Sequence, residues 1–185
     1  VFGWSSLAIA YTNYGYPYNT TSSCTATCVK DDLGFCQNNC TSYAAYVLNR
    51  YGVPFSNSYK GAIWSHGGNW DNAAGQVNGQ KITVDNYPIP GDVAYWEYDW
   101  TGDPNNHGDD HGHVAFVERV HYNNDGNATG IEVSEYNYVP ACNFSDRGRN
   151  EQIINVGSNS YPSGFIHILA YEEGVSGLYY LDSYE

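Results

Sequence analysis

Residues Phe35 to Gly52 read FCQNNCTSYAAYVLNRYG, and this stretch decides the fold. From Thr41, Tyr43, Tyr46, Val47 and Arg50 recur at spacings of three and four, and Ala44, Ala45 and Leu48 fill in. That is the pattern of an amphipathic helix. Asn38 and Asn39 are good N-cap types ahead of it, and Tyr51-Gly52 before Pro54 is a stop signal. Cys40 then falls in the first turn, where backbone N–H groups have no helical partner. The helix dipole favours a thiolate there, and the same N–H groups suit an oxyanion. The alternative is a disulfide joining Cys40 to Cys36 or Cys142.

Outward from the helix, AIWSHGGNWDNAAGQ predicts a loop and a short helix, and KITVDNYPIPGDVAYWEY a strand, a proline turn and a second strand. TGDPNNHGDDHGH is a loop by composition. HVAFVERVHY and TGIEVSEYNY flank NNDGN and predict a hairpin. GFIHILAY predicts a last strand. The whole reads as one α+β domain, a helix or two followed by an antiparallel sheet. Residues 1–23, rich in Tyr, Thr, Ser and Asn, are read as an arm packing on the domain formed by 24–185.

The hairpin juxtaposes chemistry. With its turn centred on Asn124, His113 faces Glu135; centred on Asp125, it faces Asn137. Side chains alternate with period two, so either register keeps all three on one face. An imidazole steadied by an acceptor across a strand pair is what a general base needs. A thiol at a helix start with such an imidazole makes a cysteine-hydrolase constellation, in the order Cys, His, Glu/Asn. A His beside a Glu on a solvent-facing hairpin is the competing reading.

Bulk properties limit the alternatives. The chain has 185 residues, enough for one core. Its net charge is −13, from 20 acidic and 7 basic residues, so nucleic acid and anionic membranes are poor partners. No run of about 18 apolar residues exists to span a bilayer. Nineteen Tyr and five Trp with no Met suit an extracellular domain with polar ligands. Five cysteines, Cys24, Cys28, Cys36, Cys40 and Cys142, allow two disulfides and one free thiol; their spacing is not that of a zinc site. The run His107–His113 holds three His and two Asp, which raises a metal-dependent hydrolase as an alternative.

Taken in order, NNCTSYAAYVLNRYG, GGNWDNAAGQ, PIPGDVAYWE, GHVAFVERV, IEVSEYNY and YPSGFIHI resemble the CHAP family of cysteine- and histidine-dependent amidohydrolases and peptidases. The resemblance covers roughly 35–168. It implies a papain-like fold with 24–185 as the catalytic domain, Cys40 as nucleophile, His113 as base, Glu135 orienting it, and Asn137 in support. It selects Cys40 over Cys36, because only Cys40 is followed by Thr-x-Tyr. Many relatives carry Gln before the nucleophile; here that residue is Asn39, the candidate for the oxyanion site. Trp70 and Trp96 are candidates to line a groove for a sugar–peptide polymer, as are Trp64, Tyr95 and Tyr136. With Cys40 free, the expected bridges are Cys24–Cys28 and Cys36–Cys142. The expected substrate is bacterial cell-wall peptidoglycan, cut at the muramoyl–L-alanine amide or at a stem or cross-bridge peptide bond. No cofactor is required; Ca²⁺ near Asp31 and Asp32 is weighed, without the spaced Asp pattern that usually holds it. The resemblance further implies a monomer, secreted or delivered by phage to the wall. A wall-binding module of the same fold without catalysis is the remaining alternative.

Overall fold

The structure is a computed structural model; it describes residues 14–18, 28–97, 111–137, 144–145 and 153–172. Helix α1 (Cys40–Arg50) begins at the cysteine itself, with Asn39 as N-cap in extended conformation. It ends at Tyr51, and Gly52 takes the left-handed φ of 88° that turns the chain away. Helix α2 (Trp70–Ala74) is the short helix of the GGNWDNAAG segment. The strands are β1 (Val84–Asp85), β2 (Val93–Trp96), β3 (His113–Tyr122), β4 (Ala128–Tyr136), β5 (Phe144–Ser145), β6 (Ile154–Asn155) and β7 (Gly164–Ile166). They form one sheet in the order β1-β7-β2-β3-β4-β5, and β5 and β6 share the outer edge of β4. All of these pairings are antiparallel, giving the expected α+β architecture.

Period-two alternation divides the sheet between two cores. Val114 and Phe116 of β3 join the cluster under α1, with Tyr43, Ala44, Val47 and Leu48. Ala115 and Val117 point the other way, to Trp96, Ile131, Val133 and Phe165. Tyr43, Ala44, Val47 and Leu48 are all fully buried, so the stripe read from the helix period is the face that docks on the sheet. The described part of the N-terminal segment packs here too. The Tyr16 hydroxyl lies 2.6 Å from that of Ser42 and accepts the Asn38 N–H, and Tyr14 donates to Glu118 Oε2 at 2.7 Å.

Three elements differ from the sequence expectations. The closing strand stops at Ile166, and Ile168–Glu172 is a helix, α3. Its neighbour β1 is two residues long, and a last backbone bond from His167 N to Thr83 O closes the pairing. His167 then leaves the strand to meet Asp85 and Asp92, and its carbonyl accepts the Tyr171 N–H. Second, β3 does not alternate throughout: a bulge lies between Val117 and Arg119. The extra residue, Glu118, carries the carboxylate that takes the Tyr14 hydroxyl. Third, the expected bridges Cys24–Cys28 and Cys36–Cys142 are not the pairing found: Cys28 is bonded to Cys36. Asp31 N donates to Phe35 O and Gln37 N to Val29 O. This loop closure brings the two Cα atoms to 5.1 Å, within disulfide reach. Cys24 and Cys142 lie outside the described residues.

Candidate active site

Cys40 is the free cysteine among the described residues, and its exposure is 6%. Its place follows from the cap. Asn39 O accepts the Tyr43 N–H, closing the first helical turn, while Asn39 Oδ1 accepts the Cys40 N–H at 2.8 Å. The thiol therefore sits over the N–H end of α1, and the cysteine's own N–H is engaged by its neighbour's amide.

His113 is the first residue of β3. The pairs nearest it, Phe116 with Ser134 and Val117 with Val133, belong to the register centred on Asp125. A ring N–H at Nε2 nonetheless reaches diagonally to Glu135 Oε2 at 2.7 Å. Nδ1 is left for Cys40, with which the imidazole makes its other side-chain hydrogen bond. Glu135 is fully buried and His113 is 13% exposed on its side chain. Burial alone would pull the imidazolium down. The charge and hydrogen bond of Cys40, then those of Glu135, outweigh it and raise His113 to about 9. The arrangement favours a charged imidazolium held between the Cys40 sulfur and a buried carboxylate.

Two glycines set the distance. A Cβ on Gly67 would lie 2.8 Å from the His113 carbonyl carbon. A Cβ on Gly112, at φ 63°, would lie 2.4 Å from Trp96 O. Gly68 N donates to His111 O at 2.9 Å. The SHGGN segment is thus pressed onto the HGH segment, and only glycine allows that approach. Asn137 follows β4 at φ 57° and borders the cleft.

A cleft of about 370 Å³ opens over Cys40 and His113. Its walls come from the disulfide loop and helix start, with Cys28, Lys30, Cys36 and Asn39 among them, and from residues 65–67 and 111–113. Neither Trp70 nor Trp96 lines it, contrary to expectation: both are fully buried. Trp70 packs among Phe35, Phe55 and Trp64. The Trp96 ring lies 5.4 Å from that of His113 and gives its indole N–H to Ser160 O, so it backs the imidazole from the second core. Trp64, Tyr95 and Tyr136 are buried as well. The apolar bodies of these rings are worth more in the core than on a rim. The cleft walls carry instead Lys30, His66 and His111. Lys30 and His66 had no sequence signal of their own; His111 lay in the run weighed for metal.

Residues 107–110 of that run lie outside the described residues, and no group of three metal-ligating side chains occurs among those described. Asp31 is buried and engaged within its own loop and helix. Its Oδ1 accepts from Leu33 N and Phe35 N, and its Oδ2 accepts the Ser42 hydroxyl at 2.5 Å. No described helix is long and apolar enough to cross a membrane.

Comparison with known proteins agrees with this fold. The family model of the CHAP domain matches residues 30–137. No curated protein sequence matches the chain. Among solved structures, the crystal structure of an N-acetylmuramoyl-L-alanine amidase from Staphylococcus aureus is similar, with a TM-score of 0.50 and 23% identity. The match covers 75% of this chain and 33% of that one, so the likeness is one of fold, and the chain spans a third of that protein's length.

Proposed function

The chain belongs to the CHAP domain family, and on that premise we propose that it hydrolyses an amide in the peptide part of bacterial peptidoglycan, with Cys40 as nucleophile. The observation that carries this reading is the line from the Cys40 thiol through His113 to buried Glu135. The thiolate attacks the amide carbonyl carbon, and the C=O electron pair moves to oxygen. Backbone N–H groups at the start of α1 receive that oxyanion. The Cys40 N–H joins them once Asn39 Oδ1 lets go; the Asn39 amide then turns its NH₂ toward the same oxygen. The His113 imidazolium gives its proton to the departing amine as the C–N bond breaks, leaving a thioester. Water adds to the thioester with neutral His113 taking its proton, and collapse releases the carboxylic acid and the thiolate. Glu135 holds the ring and its charge, and Asn137 supports it from the end of β4.

The disulfide Cys28–Cys36 on the cleft wall supports an oxidising, extracellular setting where the wall is met. The test is mass spectrometry of purified wall digested by the wild type and by Cys40→Ala. The wild type releases fragments, and the variant releases none. New L-alanine N-termini with intact sugar identify an amidase, and other new N-termini an endopeptidase. Equal release by both proteins overturns the proposal.

A further inference from the structure

The cleft differs in charge from the chain that builds it. The chain carries a net charge of −13 with only seven Lys and Arg. Among the described residues lining the cleft there is no Asp or Glu, whereas Lys30, His66, His111 and His113 are present. Asp31, the acid next to Lys30 in sequence, is buried and turned inward onto Leu33 N, Phe35 N and the Ser42 hydroxyl. Lys30 itself is exposed, its backbone pinned opposite Cys36 by a β-bridge, and no described carboxylate pairs with its ammonium.

His66 and His111 are exposed too, with rings stacked 4.1 Å apart at 6°. The stack stands where the SHGGN segment meets the HGH segment, two residues from His113. The reaction above uses neither ring. Burial and the neighbouring His111 both hold His66 below the usual histidine range. Each ring, neutral or charged, carries at least one N–H donor. A cationic amine and two N–H donors in a cleft without described acids form a receptor for a carboxylate.

We propose that Lys30, His66 and His111 form a subsite that binds a free carboxylate of the substrate beside the scissile amide. This rests on the hydrolase reading above and names the substrate class: a wall peptide with an ionised carboxyl group near the cleaved bond, in preference to its amidated counterpart. Lys30 supplies the charge that draws the group in, and the imidazoles fix its orientation.

The test separates the subsite from the hydrolysis. Iodoacetate and iodoacetamide are electrophiles of nearly equal size, one bearing a carboxylate and the other an amide. Their alkylation rates at Cys40 are compared at about pH 7. In the Lys30→Gln, His66→Gln, His111→Gln triple variant the iodoacetate-to-iodoacetamide ratio falls about 8- to 27-fold from the wild-type value, taking each lost contact as a two- to threefold effect. Lys30→Gln alone, an exposed substitution that leaves the stack in place, accounts for about two- to threefold of it. With paired synthetic wall peptides differing only in one free or amidated carboxyl, the wild type prefers the free acid through KM, and the preference collapses in the triple variant. A ratio unchanged in both variants overturns the subsite, whatever the wall assay shows. A ratio that falls while the wild type cuts no wall peptide leaves the carboxylate site standing and removes the hydrolase reading.

Discussion

Replacing Glu135 by Gln tests the electrostatics of the site most directly. The carboxylate is fully buried, 2.7 Å from His113 Nε2. Gln keeps size and an acceptor and leaves no unpaired buried charge, so the fold is expected to survive. In the wild type His113 stands at about 9 against an ordinary 6.5, which corresponds to about 3 kcal/mol favouring the charged ring. Cys40 supplies the larger part and Glu135 the remainder. Losing the Glu135 part lowers the upper limb of the pH profile by about one unit, or ~1.4 kcal/mol. The direction follows from the proton: the leaving amine needs an imidazolium, so activity falls as pH rises through His113's titration. With Glu135 that fall is centred near 9; with Gln it moves toward 6.5. Adding the loss of ring orientation, kcat/KM drops about 10- to 100-fold near pH 8. Rates of wall-peptide release from pH 5 to 10, with iodoacetamide alkylation of Cys40 over the same range, measure both effects. A variant with the wild-type upper limb and kcat/KM within about twofold would refute the role given to Glu135.

Other substitutions probe the frame. Gly67→Ala places a methyl 2.8 Å from the His113 carbonyl carbon. It should cost about 1–3 kcal/mol in thermal or denaturant unfolding, with a disproportionate loss of kcat because His113 itself is displaced. Asp92→Ala removes the carboxylate that binds His167 Nδ1 at 2.8 Å and Ile89 N at 2.7 Å. It should cost about 3–5 kcal/mol, seen as a Tm lower by roughly 6–20 °C. His167, though partly buried, is held up to about 9 by facing Asp92 and Asp85. Burial raises Asp92 itself to about 6, so the pair is strongest just above that pH, and its stabilisation is lost as pH rises through about 9. The gap between wild type and Asp92→Ala therefore narrows with alkali; a gap that widens would contradict the pairing.

What could be read from the residues was local and periodic. The three-four spacing of Tyr43, Tyr46 and Val47 marked α1, and the Asn pair ahead of it placed Cys40 in the first turn. Alternation on either side of NNDGN marked the hairpin and limited its register to two choices. The structure took the one centred on Asp125, while a diagonal contact still joined His113 to Glu135. Tertiary partners decided the rest. The bulge at Glu118 depends on Tyr14, more than a hundred residues away in sequence. The Cys28–Cys36 pairing depends on how the loop closes, which cysteine spacing does not encode. Composition shows many aromatics but not their depth, and Trp70 and Trp96, candidates for a groove by sequence, fill cores. The wall carrying His66 and His111 exists because two glycines let separate segments touch, and neither segment reveals that contact alone.

The proximity of a disulfide and a free thiol in one cleft bears on how the protein should be handled at the bench. Millimolar dithiothreitol, the habitual protection for a sulfur nucleophile, is also the reagent that would open Cys28–Cys36 and slacken the loop that holds Lys30. Preparations kept in strong reductant and preparations kept without it are therefore two different molecules, and activity compared across laboratories has meaning only when the redox buffer is stated with it.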